Sequence, residues 1–110
     1  MKNTIDILPD HLQIVKEILQ RYFPVNTEVW AFGSRVTGKA KKYSDLDIAI
    51  DTELPLSVEV MANLTSEFEE SSLPYKADVI DWRTIDKSFR DRICRDRILL
   101  WKSSTRRNGP

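Results

Sequence analysis

Residues 31–51 read AFGSRVTGKAKKYSDLDIAID, and the rest of the 110-residue chain is organised around this stretch. It contains the end of an apolar strand, the turn Gly33-Ser34, a basic loop, and a strand that carries Asp45 and Asp47. In segment 45–51, apolar residues alternate with acids, a pattern typical of a strand with one buried face. The stretch therefore predicts two strands joined by a polar connection.

The sequence before this stretch predicts a helix and a strand. Residues 9–22 have apolar side chains at three- and four-residue spacing, and Pro9 is favoured in a first helical turn. Residues 28–32, EVWAF, are short, aromatic and bounded by turn residues, which indicates a buried strand. Ser34 is a good N-cap, so we expect a short helix from there towards Gly38.

The sequence after the stretch predicts two more helices and another strand. Residues 55–71 have the periodicity of an amphipathic helix, and residues 76–82 read as a strand. The core stripe of this predicted helix consists of Val58, Met61, Leu64 and Phe68. Thr84 is expected to cap the last helix. Segment 97–101, RILLW, fits either the last turn of that helix or a short edge strand.

These elements predict one domain. We expect residues 1–102 to fold together, with residues 1–8 as a loose lead-in and residues 103–110 as a disordered tail. The order helix, strand, short helix, strand, helix, strand, helix predicts an α/β fold, an α+β two-layer domain in which helices pack on a small mixed sheet.

Composition excludes several classes of function. The net charge is zero, which argues against a DNA- or RNA-polymerase role, and Cys94 is the single cysteine, so an intrachain disulfide and a cysteine-based zinc site are excluded. His11 is the single histidine. We expect a cytoplasmic protein, since there is no secretory leader and no apolar run approaches the roughly 20 residues of a membrane span.

Asp45 and Asp47 are the first candidate metal ligands. On a strand their side chains point to the same face with Cα atoms about 6.6 Å apart. Mg²⁺ takes carboxylate, phosphate and water oxygens and would suit such a pair. Asp78 is the candidate third acid, with Asp81 as the alternative if the strand register differs by one. Aspartates at strand ends also serve as turn or capping residues, and Asp51 and Asp81 are expected to be solvated strand ends.

The turn and the basic loop are candidates for phosphate binding. Glycine lets the backbone approach a ligand closely, and a serine at a helix N-terminus presents a hydroxyl and free N–H groups. Four cations follow within eight residues, at Arg35, Lys39, Lys41 and Lys42. The alternatives are an ordinary capped turn and a solvated charged loop.

The combined spacing is more specific than its parts. Gly33-Ser34, ten intervening residues, and Asp45-x-Asp47 on a strand resemble the pattern of the minimal nucleotidyltransferases of the DNA-polymerase-beta-like superfamily. Asp78 matches the third acid of that family. The resemblance implies the polymerase-beta-like nucleotidyltransferase fold and transfer of a nucleoside monophosphate from an NTP to a hydroxyl.

The resemblance also implies roles for the site residues. Two Mg²⁺ ions would be held by Asp45, Asp47 and Asp78, and Asp78 would be the general base or a metal ligand beside the attacking oxygen. The substrate would be ATP, with AMP transferred, and Gly33 and Ser34 would hold its β- and γ-phosphates. From their position alone, Arg35 and Lys42 are assigned to the leaving pyrophosphate.

The family further implies a partner. Its small members are paired with a helical protein of the HEPN or substrate-binding type, encoded next to them, and in several pairs they act as antitoxins that attach AMP to a tyrosine of a toxic ribonuclease. The alternatives are an antitoxin that acts by binding alone and a transferase for a small molecule such as an aminoglycoside. The apolar segment 98–101 is a candidate surface for a partner or a second copy.

Trp30 and Trp82 are expected in the core, and Cys94 is expected to be partly buried.

Overall fold

Four helices and four strands make up residues 4–103, the part of the chain that this computed structural model describes. The helices are α1 (Pro9–Tyr22), α2 (Ser34–Thr37), α3 (Val58–Glu70) and α4 (Lys87–Asp96). The strands are β1 (Glu28–Phe32), β2 (Leu46–Asp51), β3 (Ala77–Asp81) and β4 (Ile98–Lys102). The ambiguous segment after α4 is thus an edge strand.

The strands form one mixed sheet in the order β3-β2-β1-β4. β1 is antiparallel to β2 and to β4, whereas β2 and β3 are parallel and joined through α3. A parallel pair needs such a long crossover, while an antiparallel pair does not. The predicted fold class, a small mixed sheet with helices packed on it, is confirmed.

One face of the sheet forms the core with α1 and α3. The alternation in β2 places Leu46, Ile48 and Ile50 on this face, and all three are fully buried. They share one apolar cluster with the helical residues Leu19 and Leu64. At roughly 25 cal/mol per Å² of apolar surface, this burial is the main stabilising contribution to the fold.

The other face of the sheet is largely polar and carries α4 over part of its area. Phe32 lies on this face because its neighbour Ala31 points into the core, and its ring meets Phe89 of α4 edge-on, with centroids 6.1 Å apart. Trp30 and Trp82 were expected in the core. They are instead half-buried and lie around the Arg97 guanidinium. Cys94, expected to be partly buried, is exposed.

Two helix starts differ from the expectation because side chains downstream of the expected starts cap them. α3 begins at Val58 and not at Pro55, since the Ser57 hydroxyl accepts a hydrogen bond from the Val60 N–H. Val58, predicted as a member of the core stripe, is consequently 86% exposed and does not contribute to the core. α4 is capped by Asp86, whose carboxylate accepts from the Phe89 N–H, and not by Thr84.

The ends of the domain are better anchored than expected. In the lead-in, Ile5 and Ile7 pack against the core, and the Asp6 N–H donates to the Arg35 carbonyl at 2.7 Å. Ser103, assigned to the disordered tail, is buried and exchanges hydrogen bonds with Thr27. The remainder of the predicted tail, residues 104–110, lies outside the described residues.

Candidate active site

The three acids predicted as metal ligands meet on the polar face of the sheet. In the strand register, Asp47 is opposite Phe32 of β1 on one side and opposite Asp78 of β3 on the other. Asp45 is two residues before Asp47 and points the same way. Each of the three carboxyl groups has an oxygen within 4.8 Å of the others, so the fold brings together residues that are 33 positions apart in the sequence.

The electrostatics of this cluster favour a bound cation. Burial, followed by the charges of Asp78 and Asp45, raises the pKa of Asp47 to about 6. The nearby Lys76 acts in the opposite direction and lowers it. Carboxylates that repel one another at this distance are stabilised together by a divalent cation, for which oxygen ligands are the preferred donors.

Asp81, the alternative third acid, has a different position. It lies on the core side of β3 and is only 7% exposed. Its two carboxylate oxygens accept hydrogen bonds from the N–H groups of Leu56 and Arg83. The expectation of a solvated strand end is therefore wrong for Asp81, which fastens two loops. Asp51 is half-buried and pairs with Arg83 at 3.5 Å.

Gly33 lies directly against the acidic cluster. Its φ of 80° and ψ of −156° fall in a region that is essentially restricted to glycine. A Cβ atom at this position would be 2.2 Å from Oδ2 of Asp47. Gly33 therefore packs closely against Asp47, and Gly33, not Ser34, is the N-cap of α2.

Ser34 and Lys42, also predicted to bind the nucleotide, are both accessible to solvent. Ser34 is the first residue of α2 and is half-exposed, so its hydroxyl is available at the turn. Lys42 is exposed in the loop before β2, with its Nζ 5.3 Å from the Tyr43 ring centroid. Both lie on the connection between Gly33 and Asp45.

Arg35 cannot make the contact assigned to it with its side chain in this position. It is 5% exposed, and its guanidinium donates hydrogen bonds to main-chain carbonyl groups of the preceding and following segments. The prediction that Arg35 binds the leaving pyrophosphate is corrected: its charge is directed into the protein, because the loop folds back over it.

Lys76 is a cation near the site that the sequence reading missed. It is exposed, precedes β3 and acts on the charge of Asp47. Its position two residues before Asp78 is the signal that could have found it, because side chains two apart in an extended segment share a face.

A separate cavity lies at the opposite end of the sheet. It has a volume of about 250 Å³ and is lined partly by Glu28, Asp51 and Arg83. Glu28 pairs with Asp51 at the far end of β1 and β2 from Phe32 and Asp47. This cavity is therefore not part of the acidic cluster, which lies on an open face.

Comparison with known proteins agrees with this geometry. Residues 13–106 match the family described as Polymerase beta, Nucleotidyltransferase. The chain belongs to this nucleotidyltransferase family. A family member from Haemophilus influenzae, named probable protein adenylyltransferase MntA, is 53% identical over 89 residues, which are 81% of this chain and 77% of that protein.

Solved structures of other proteins share the fold. A toxin-antitoxin crystal structure with AMP-PNP superposes with a TM-score of 0.71 at 22% identity, over 84% of this chain and 74% of the other. A tri-AMPylated HEPN toxin of Shewanella oneidensis in complex with its MNT antitoxin gives a TM-score of 0.64 at 21% identity, over 83% and 69%. These structures agree with the predicted fold, and the family model and the 53% identical relative confirm the predicted family.

Proposed function

We propose that this nucleotidyltransferase is a Mg²⁺-dependent adenylyltransferase that moves AMP from ATP to a hydroxyl of a partner protein. The observation that carries the proposal is the acidic cluster of Asp45, Asp47 and Asp78, whose ligand atoms lie within 4.8 Å of one another. The 53% identity to a protein named as a protein adenylyltransferase supports the choice of nucleotide and of a protein acceptor.

The donor set fits Mg²⁺. Asp45, Asp47 and Asp78 supply only carboxylate oxygens, and burial, followed by the charges of Asp78 and Asp45, raises the pKa of Asp47, an effect that a bound cation would offset. Two bound Mg²⁺ ions would polarise the α-phosphate and lower the charge on the oxygens that attack and leave.

The protein's own residues would position the substrate. Gly33 leaves room for the Asp47 carboxylate against the turn, where any side chain would intrude, and Ser34 offers its hydroxyl to the β- and γ-phosphates. Lys42 is exposed on the adjoining loop and would offset the charge of the departing pyrophosphate.

Asp78 is the acid to which we assign the acceptor proton. It is exposed on the edge strand β3, whereas Asp47 is half-buried in the centre of the row. In the reaction, the acceptor oxygen forms a bond to the α-phosphorus, the bond to the β-phosphate oxygen breaks, and pyrophosphate leaves. The acceptor proton passes to Asp78, acting as general base.

We propose that the acceptor is a tyrosine of a small helical HEPN-type protein encoded next to this chain, and that the pair is a toxin-antitoxin system. Two observations support this: the acidic cluster lies on an open sheet face, and one fold neighbour comes from a structure of a tri-AMPylated HEPN toxin in complex with an MNT antitoxin. None of the helices among residues 4–103 is long and apolar enough to span a membrane. We propose a cytoplasmic location for the pair.

The direct test is transfer of label. The purified chain is incubated with α-³²P-ATP, Mg²⁺ and the product of the adjacent gene, and the label on that product is located by mass spectrometry. We expect AMP on a tyrosine, no transfer in EDTA, and loss of transfer in Asp45→Asn and Asp47→Asn. GTP, CTP and UTP in separate reactions test the nucleotide.

Two results would contradict the proposal. A wild-type protein that binds and silences the partner without transferring label would be an antitoxin that acts by contact alone. Asp45→Asn and Asp47→Asn variants as active as wild type would exclude the acidic cluster as the site.

A further inference from the structure

Arg35 is the only buried lysine or arginine within residues 4–103. It follows Gly33-Ser34 in α2, and the mechanism proposed above leaves it without a part. A guanidinium ion cannot lose its charge in a protein, so its burial is costly unless its donors are satisfied. The contacts that satisfy the donors of Arg35 show which parts of the chain this buried side chain holds together.

The guanidinium holds the loop that leads into the acidic strand. Its Nε and Nη2 donate to the Ser44 carbonyl at 3.0 and 2.8 Å, and Nη2 also donates to the Lys42 carbonyl at 3.1 Å. On the other side, Nη1 donates to the Asp6 carbonyl at 2.8 Å. Ser44 immediately precedes Asp45, so these bonds fix the backbone from which the first acid projects.

The same side chain contacts the segment that leads to the third acid. The Arg35 Cζ lies 3.8 Å from the ring centroid of Tyr75, a cation–π contact in a buried setting. Tyr75 is three residues before Asp78, and its hydroxyl is 3.2 Å from Nδ1 of His11 in α1. The contact with His11 thus holds the Tyr75 ring in place, and the face of the ring packs against the Arg35 guanidinium.

One side chain therefore connects all the segments that supply the acidic cluster. Arg35 itself extends from the turn at Gly33, its donors hold the residue before Asp45, and its flat face rests on the approach to Asp78. We propose that Arg35 is a positioning residue that sets the separation of the three carboxylates, and so the affinity of the site for divalent cations. This inference rests on the proposed function only in taking the cluster to be a cation site.

The geometry makes the role specific to arginine. The forked group reaches several carbonyls in one plane and still presents a face to Tyr75, whereas a lysine ammonium is a point charge without a planar face. Residues that orient metal ligands without touching the metal commonly change metal affinity by about 10–100-fold when they are replaced. We expect Arg35→Lys to fall in this range although it keeps the charge.

The experiment measures Mn²⁺ binding to the metal-free protein by electron paramagnetic resonance, without nucleotide or partner. Arg35→Lys and Arg35→Gln should each bind Mn²⁺ at least about tenfold more weakly than wild type. Arg83→Gln is the matched control, because Arg83 also donates to a carbonyl, that of Thr52, but at the far end of the sheet. It should bind like wild type. Folded Arg35 variants with wild-type Mn²⁺ affinity would overturn the proposal.

A second pair of variants keeps the test decisive if the Arg35 variants do not fold. Tyr75→Phe keeps the ring under the guanidinium and loses only the bond to His11, whereas Tyr75→Leu removes the ring. Tyr75→Leu should weaken Mn²⁺ binding and Tyr75→Phe should not. Equal affinities of the two variants would refute the role.

Limited trypsin digestion provides an independent readout. Lys39, Lys41 and Lys42 are exposed in the loop that Arg35 holds, so cleavage there should be faster in Arg35→Lys and unchanged in Arg83→Gln. Unchanged cleavage in Arg35→Lys would contradict the proposal. Failure of AMP transfer by wild type would refute the proposed function and leave the Mn²⁺ and trypsin measurements valid.

Discussion

A side chain on Gly33 would collide with Asp47, since a Cβ atom there would lie 2.2 Å from the Asp47 Oδ2. The turn and the acidic strand are therefore fitted to each other across the sheet. The absence of a side chain at one residue makes room for the carboxylate of another.

The first prediction concerns Gly33→Ala. The backbone angles alone make the substitution unfavourable by about 1–3 kcal/mol. The new methyl group must also displace the Asp47 carboxylate, and a displacement of about 1 Å in a site of this kind costs about 100-fold in rate. We expect weaker Mn²⁺ binding and about a 100-fold loss of transfer, measured with the labelled-ATP assay.

Gly38→Ala is the matched control for this prediction. Gly38 also has a positive φ, 83°, but a Cβ atom there would have nothing within 4 Å. The variant should lose about 1–2 kcal/mol of stability and keep its activity. Equal loss of activity in both variants would mean that backbone strain, and not the contact with Asp47, determines the result.

The second prediction concerns the stability of the metal-free protein. The pKa of Asp47 is raised to about 6 in the folded state, above its ordinary value of 3.8, so the folded state binds the proton more tightly than the unfolded state. The free energy of unfolding should therefore increase as the pH falls from 7 through about 6 towards 4. The gain from Asp47 should be about 1 kcal/mol, allowing for solvent screening of a half-exposed group.

Asp47→Asn should remove this pH dependence. In EDTA at pH 7 the variant should have a higher Tm than wild type, because it no longer places a third charge among Asp45 and Asp78. Mg²⁺ should raise the Tm of wild type and leave that of the variant nearly unchanged. Urea titrations at several pH values measure the effect, and parallel curves for the two proteins would contradict it.

The third prediction separates Asp78 from Asp81. Asp78→Asn should reduce transfer by about 10²–10⁴-fold, the range expected for loss of a general base, with little change in stability. Asp81→Asn leaves one of two partly buried N–H groups without an acceptor and should cost about 1–3 kcal/mol. At temperatures well below its Tm this variant should remain active, and a similar loss of activity in both would reject the assignment.

The fourth prediction concerns Lys76, which lowers the pKa of Asp47. In the metal-free protein, Lys76→Gln should raise that pKa above about 6, while Asp78→Asn should lower it by removing a like charge. The ¹³Cγ shift of Asp47 followed by NMR titration reports both changes. Lys102→Gln, at the far end of the sheet, should have no effect, and a shift of equal size there would rule out a local role for Lys76.

Much of the fold followed from periodicity. The helix at Pro9–Tyr22 and the strand at Glu28–Phe32 have the predicted bounds, because proline punctuation and strong apolar patterns act locally. Helix starts were less predictable. Ser57 and Asp86 cap α3 and α4 in competition with other polar residues nearby, and the choice depends on where the connecting loop places each side chain.

The candidate site, like the fold, could be predicted only in part from the sequence. The spacing of Gly33, Asp45 and Asp47 depends on a short segment of chain, and the sequence was enough to predict that these residues lie together. Arg35 belongs to the same segment, yet the sequence suggested the wrong role for it. The side chain of a lysine or arginine faces a ligand or the protein interior according to which backbone carbonyls surround it. Around Arg35 these carbonyls belong to Asp6, which precedes it in the chain, and to Ser44, which follows it.

The sequence by itself predicted the family, the sheet class and the acids Asp45, Asp47 and Asp78, with Asp81 as the alternative to Asp78. Only the tertiary structure shows which of these last two lies beside Asp45 and Asp47. Both lie in one strand, and the parallel register that puts Asp78 opposite Asp47 turns Asp81 towards the core. Register depends on contacts between strands that are distant in sequence, and a one-residue shift would have reversed the choice.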